Sequence, residues 1–292
     1  MSLAAARDAP WSQLRGWTPT PLIRASLWAH GAGALAMAAQ PHLWPELLTA
    51  LACNHAVLGC AMHPQGALLG PNLRRLPDGG AGIALTFDDG PDPEVTPRVL
   101  DLLDAYAAKA SFFVIGQRAA AHPALVREIL RRGHAVENHT HRHSPAFALR
   151  GPWALRREVS EAQRAIVDAG GVAPRFFRAP MGLRSPLLDP VLAAEGLSLV
   201  SWTRRGHDAV RREPAPVLRR LLHGIAARDI LLLHDGNCAR DARGRAVVLS
   251  VLPPLLEALA ALSLRTAPLA PPPPVPVAAG APARAAATAS PA

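Results

Sequence analysis

The sequence predicts an α/β fold in which parallel strands curl into a closed or nearly closed barrel. From about Gly82, short β-like runs alternate with longer helical ones, and repeated βα units imply parallel strands. Polar, chemistry-bearing residues fall just after these strand-like runs, and in such barrels the chemistry sits at the C-terminal ends of the strands.

Taken in order, Ile83–Phe87 is the first strand. The stretch 94–107 follows as a helix with Val95, Val99, Leu102 and Leu103 on one side. Residues 111–115 form the next strand, and 117–132 a helix interrupted at Pro123. Residues 135–138 are a strand, and 154–169 a helix ended by Gly170-Gly171. Strands at 175–178, 197–202 and 229–233 alternate with helices at 186–195 and 214–227. A last helix covers roughly 246–262, ahead of a short strand near Leu264.

Two apolar runs, 25–40 and 47–62, precede this domain and are joined by Pro41-His42-Leu43-Trp44-Pro45-Glu46. Each falls short of the roughly 20 residues that span a bilayer comfortably, and His30, Asn54 and His55 interrupt them. One reading is a soluble helical hairpin packed on the main domain. The other is a membrane hairpin, favoured by apolar residues on nearly every face and by Trp11, Trp17, Trp28 and Trp44 gathered here. A cleaved leader is the weaker alternative, because a second apolar run would remain. Arg7, Arg15 and Arg24 precede the first run, and Arg74 and Arg75 follow the second. If both runs crossed, this would place the main domain on the cytoplasmic side of a bacterial-type cell membrane.

Three regions are therefore expected: an N-terminal region to residue 80, a main domain over 81–266 and a Pro/Ala-rich tail over 267–292. The tail, with four consecutive prolines at 271–274, is expected to be disordered or polyproline-like. The chain has 292 residues and a formal charge of +9, with Lys109 its sole lysine. That basic excess reflects an Arg/Ala/Pro/Leu vocabulary, and no Arg-rich block is interleaved with aromatics, which argues against a nucleic-acid partner. Cys53, Cys60 and Cys238 show no CxxC spacing, so neither a disulfide framework nor a cysteine metal site is expected.

The candidate site is built from strand ends. Thr86-Phe87-Asp88-Asp89-Gly90-Pro91 places two adjacent carboxylates at a strand tip. A cation taking one of them would relieve their repulsion, while the bland alternative is a turn with two solvated acids. His139 and His143, in His139-Thr140-His141-Arg142-His143, are spaced to face one ion or to sit in a polar loop. Two histidines and one aspartate with an open position for water make a familiar catalytic zinc arrangement. Arg178-Ala179-Pro180-Met181-Gly182, Asp208 and Leu232-Leu233-His234-Asp235 complete the set. A lone His ending an apolar run is more often structural, so His234 gains weight only from the others.

This ordered set resembles the polysaccharide deacetylase family, the NodB-homology domain of carbohydrate esterases, over about residues 82–264. The motifs are Thr86 to Pro91, His139-Thr140-x-x-His143, Arg178-x-Pro180, Asp208 and Leu232-x-His234. The resemblance implies a distorted (β/α) barrel that removes N-acetyl groups from amino sugars with one divalent metal ion, usually zinc. It implies Asp89, His139 and His143 as metal ligands and Asp88 as general base, oriented by Arg178. His234 would protonate the leaving amine, held by Asp208. The Met181 backbone amide would serve the oxyanion, and Leu232 would line the acetyl pocket. His141 stays a loop residue.

Two departures touch the sugar contacts. The family often has Pro-Pro-Tyr after its arginine, where this chain has Ala179-Pro180-Met181, and Asp208-Ala209 stands where many members have Asp-Trp. Trp202 or Trp153 are the residues able to replace that wall. The expected substrate is an N-acetylated glycan or a lipid-linked amino sugar. The rival reading is a non-catalytic, membrane-bound glycan-binding protein on the same fold. Loss of Asp88 or His234 would favour it, and both are present.

Overall fold

The computed structural model of the chain describes residues 17–77 and 82–269. Arg7, Trp11, Arg15, the expected boundary at 80 and 81, and the tail from residue 270 lie outside the described residues.

The core is one sheet of eight parallel strands in the order β5-β4-β3-β2-β1-β7-β6, with β8 also pairing on β1. These are β1 (Ile83–Asp88), β2 (Ser111–Val114), β3 (Ala135–Asn138), β4 (Phe176–Phe177), β5 (Ser198–Leu199), β6 (Arg204–Arg205), β7 (Ile230–His234) and β8 (Thr266–Ala267). The expected barrel is thus a curled, open one.

Every residue of the central strand β1 is buried, as expected for a parallel strand covered on both faces. Its side chains alternate: Ile83, Leu85 and Phe87 join the cluster beneath the helices, while Ala84 faces the inner cluster. In β7, Leu231 and Leu233 take the helix side and Ile230 and Leu232 the inner side. The period of two carries Asp88 and His234 onto the inner side, and the β1–β7 register pairs them directly.

The main-domain helices are α3 (Thr96–Ala105), α4 (Gly116–Ala121), α5 (Pro123–Arg131), α6 (Pro152–Gly170), α7 (Leu188–Ala194), α8 (Pro214–Leu222) and α9 (Val248–Ala261). Pro123 ends one helix and opens the next, as the sequence predicts. Gly171, in the left-handed region at φ 75°, caps α6. Helix α9 carries Pro253 and Pro254 in its interior. Each proline costs about 3 kcal/mol in a helix. The same helix buries Val248, Leu249, Val251, Leu252, Leu255, Leu256 and Leu259. At roughly 1.5–3 kcal/mol per buried side chain, burial wins.

The expected strand over 197–202 is shorter. After Leu199 the chain leaves the sheet because its polar groups have other partners: Arg178 binds the Val200 and Ser201 carbonyls, and the Ser201 amide donates to Leu73. Leu73 bridges Val200 in parallel and Arg75 bridges Asp229, so the linker is built into the space between the two sheet edges. Strand β6, absent from the sequence reading, is set by its register on Leu231 and Leu232 and by Arg204 reaching Asp229.

Ahead of the barrel stand helices α1 (Pro21–Ala39) and α2 (Trp44–Ala61), joined by a 3-10 turn at Pro41–Leu43. They pack together through Asn54 Nδ2 donating to Ser26 Oγ at 3.0 Å and through the edge-on rings of His30 and His55. Only Ser26 of α1 and Ala61 of α2 are buried, so the hairpin is not packed into the main domain. No helix among the described residues is long and apolar enough to cross a membrane. The crossing hairpin expected from the sequence therefore finds no helix to carry it. At 19 and 18 residues, α1 contains Arg24 and His30, and α2 contains Glu46, Asn54 and His55.

Candidate active site

The tip of β1 is where the site begins. Asp88 is buried, and Arg178 NH1 donates to its Oδ1 at 2.5 Å. Arg178 is itself fully buried, which demands that its five donors be spent. Four of them go to Asp88, to Thr86 Oγ1 at 2.9 Å, to the Ser201 carbonyl at 2.9 Å and, at 3.4 Å, to the Val200 carbonyl. Phe113 lies under the guanidinium at 4.1 Å. Burial lowers the arginine's pKa, and the Asp88 charge opposes that shift. The clamp leaves one Asp88 oxygen for chemistry.

Asp89 turns the other way. Its φ of 72° is a left-handed conformation that swings the carboxylate off the strand, toward His139 and His143. Asp89 Oδ1 lies 3.3 Å from His139 Nε2 and 3.1 Å from His143 Nε2. One ligand atom from each of the three residues falls within 4.8 Å of the others, a grouping able to hold a metal ion. His139 Nδ1 donates to the Arg178 carbonyl at 2.8 Å, which leaves its Nε2 as a lone pair facing Asp89. Asp89 Oδ1 is buried and makes no hydrogen bond. A buried carboxylate oxygen and ring nitrogens converging on one point fit a cation between them.

Burial alone would raise the Asp89 pKa, but His139, His143 and His234 hold it below the ordinary carboxylate range. Burial lowers the His139 pKa, and the Asp88 and Asp89 carboxylates outweigh it and raise it. Burial and the His139 charge push His143 down, which favours the neutral imidazole a metal needs.

On the opposite side of Asp88, His234 ends β7. Asp208 is fully buried and accepts from His234 twice, from Nδ1 at 2.9 Å and from the backbone amide at 2.8 Å. Burial alone would lower the His234 pKa. The Asp208 charge and hydrogen bond outweigh burial, with Asp88 and Asp89 adding, and raise it to about 9. At neutral pH this imidazole carries a proton to give.

Met181 sits in the 3-10 turn Pro180–Gly182 with φ 55°, and its side chain is exposed. Leu232 is buried in the inner cluster beside Trp202. Trp202 packs against Gly182, while Trp153 stands exposed at the start of α6. His141 is outside the metal-competent group; its ring packs on Gly116.

Sequence reasoning missed several supporting residues. Asn138 Oδ1 accepts from the Thr140 amide, and Glu158 accepts from the Arg142 amide, together shaping the loop between His139 and His143. Thr86, a motif residue given no role, links Arg178 to the Leu231 carbonyl. Ser201 lies in no motif, and only the extended run around it marked the place.

Strand-end carboxylates, a three-residue ligand cluster and a buried imidazole–carboxylate pair on an open parallel barrel define a hydrolase of the carbohydrate-esterase kind. The profile of the polysaccharide deacetylase family matches residues 76–200. A chitooligosaccharide deacetylase of Sinorhizobium fredii is 40% identical over 173 residues, covering 58% of this chain and 80% of that one. A peptidoglycan-N-acetylglucosamine deacetylase of Bacillus cereus is 34% identical over 175 residues, covering 59% and 81%. The chain belongs to the polysaccharide deacetylase family. Among solved structures, a family 4 carbohydrate esterase from Streptomyces lividans in complex with acetate aligns with a TM-score of 0.58 and 30% identity, covering 64% of this chain and 92% of that one. A family 4 pseudoenzyme from Bacillus anthracis shares the fold, with a TM-score of 0.61, 21% identity and coverage of 68% and 67%. The fold alone therefore does not decide catalysis. The residues do.

Proposed function

We propose that this chain hydrolyses the N-acetyl amide of an amino sugar in a glycan, releasing acetate and a free amine. The observation that carries this reading is the convergence on one strand tip of three things: the Arg178-clamped Asp88, the Asp89-His139-His143 cluster and the His234–Asp208 pair. The relatives named as chitooligosaccharide and peptidoglycan deacetylases support the substrate class.

The residues divide the labour as follows. Asp89, His139 and His143 would hold a divalent cation, and their nitrogen–oxygen donor set suits zinc. When bound, it would supply Lewis-acid activation of water and of the amide carbonyl. Asp88 receives the proton of the attacking water, and Arg178 keeps the carboxylate aimed. His234 delivers a proton to the departing amine, and Asp208 keeps the imidazole charged and oriented. The backbone amide of Met181 faces the oxyanion, and Leu232 bounds the acetyl methyl.

The test is acetate release by the full chain, loaded with zinc, from N-acetylated chitooligosaccharide and from peptidoglycan fragments. Chelation should stop release and zinc should restore it. A chain that binds no zinc and frees no acetate from either substrate would refute the reading.

A further inference from the structure

Among the described residues, the hairpin of α1 and α2 presents an apolar surface that no other element covers. Leu27, Trp28, Leu35, Trp44, Leu48 and Val57 are all more than half exposed, Trp28 at 78%. None of the apolar core clusters draws a residue from either helix. The polar side chains between its ends bond within the hairpin. His30 Nδ1 donates to the Ser26 carbonyl, His55 Nδ1 to the Leu51 carbonyl and Thr49 Oγ1 to the Pro45 carbonyl, all within 2.8 Å, while Asn54 donates to Ser26. Exposed polar side chains are Arg24 near the base, Gln40, His42 and Glu46 around the turn, and His30, Thr49 and His55 between, the last three each bonded to their own helix's backbone. A protein partner needs one apolar stripe, whereas exposed apolar side chains spread over both helices, with the polar ones between bonded to the helix backbone, suit lipid.

The hairpin also leaves the barrel beside the candidate active site. The Arg184 amide donates to the Met62 carbonyl at 3.1 Å, and Ser201 Oγ donates to the Pro64 carbonyl at 2.6 Å. Ser201 is the residue whose carbonyl binds Arg178. The loops at this end of the sheet expose Met181, Leu149 and Val210. They also expose the cations Arg142, Arg211 and Arg212. Apolar groups flanked by arginines match the acyl chains and anionic headgroups of a bilayer surface.

We propose that the α1–α2 hairpin docks this protein on an anionic lipid bilayer, seated among headgroups and upper acyl chains without crossing, with the active-site rim facing the membrane. What the docked site meets there rests on the deacetylase reading, and an N-acetyl amino sugar presented at the bilayer surface is the substrate this arrangement suits. Docking itself does not depend on turnover.

The experiment mixes the full chain with vesicles of phosphatidylcholine, or of phosphatidylcholine with phosphatidylglycerol, then pellets them while tryptophan emission is followed. The wild type should pellet with the anionic vesicles, its emission shifting to the blue. Trp28→Glu with Trp44→Glu should weaken binding by about tenfold or more. Leu48→Glu should weaken it in the same direction, and the melting temperature should hold because none of these residues is in the core. Replacing Arg142, Arg211 and Arg212 by Gln should erase the preference for anionic vesicles. A wild type that stays in the supernatant with both vesicles overturns the proposal, as does one whose pelleting the tryptophan changes leave intact. A dimer of this chain broken by the same tryptophan changes would assign the surface to a second copy and overturn it equally. Vesicle binding without acetate release would sink the deacetylase reading and leave the docking intact.

Discussion

Asp88 and Asp89 are neighbours in sequence with opposite surroundings, and the difference is one backbone angle. Asp88 stays in the strand and meets Arg178; Asp89, at φ 72°, turns to the histidines. Asp88→Asn should lower kcat by about 100-fold or more. Zinc content, measured by elemental analysis, should stay near the wild-type level. Asp89→Asn should lose both zinc and turnover. Equal zinc loss in the two variants would show that the division of labour is wrong. His234 offers a second test at this scale. Its folded pKa of about 9 lies above the ordinary 6.5, so its protonated form persists through neutrality. Acetate release should therefore fall as pH rises through about 9. In Asp208→Asn that alkaline limb should move down toward 6.5, the ordinary imidazole value. Because the pKa is raised on folding, the His234–Asp208 pair contributes stability that is full below 6.5 and lost as pH climbs through about 9. The pH dependence of the melting temperature, wild type against Asp208→Asn, reads this directly.

Among the elements, closeness is what the site is built from. A Cβ on Gly116 would stand 2.7 Å from Ala162 Cα of α6 and from His141 Nδ1, so α4 and α6 meet at a contact that has no room for a side chain. Gly116→Ala should cost about 1–3 kcal/mol, read by denaturant unfolding, and should disturb the histidine loop that His141 anchors. These contacts also explain what the sequence could and could not disclose. The strand 83–88 and the helices over 96–105 and 152–170 were legible because apolar spacing and terminating glycines or prolines are local signals. Asp88, Asp89, His139, His143, Arg178, Asp208 and His234 were legible as a set because each follows a strand and their order matches a family pattern. Strand β6 was not, since Arg204 and Arg205 carry no apolar period and their pairing depends on where Leu231, Leu232 and Asp229 come to lie. The supporting roles of Ser201 and Thr86 were equally hidden, because both depend on where the Arg178 side chain comes to rest.

Across the molecule, the linker that precedes β1 belongs to the barrel as much as the strands do. Asp229 is fully buried between two arginines: Arg75 from the linker reaches its Oδ1 at 2.6 Å and Arg204 its Oδ2 at 2.5 Å. Removing one arginine leaves a partner. Removing both strands a buried charge, which typically costs about 3–5 kcal/mol. Arg75→Ala and Arg204→Ala should each be mild, because both side chains are partly exposed, and the double change should cost more than their sum. A double-mutant cycle by urea unfolding checks it, and simple additivity would mean that Asp229 finds another partner.

The Leu73–Val200 bridge carries one further consequence, for the order of assembly. Its two residues are roughly 130 positions apart in the chain, and bringing the ends of so long a loop together costs on the order of 4 kcal/mol of chain entropy. The neighbouring parallel pairs from β1 to β4 close far shorter loops. The seam at Leu73 should therefore form late. In pulsed hydrogen exchange during refolding, the amides of Leu73 and Ser201 should gain protection after those of Phe87 and Phe113. That seam brings the linker under Ser201, the residue holding Arg178, so the Asp88 carboxylate would acquire its aim only when the barrel is complete.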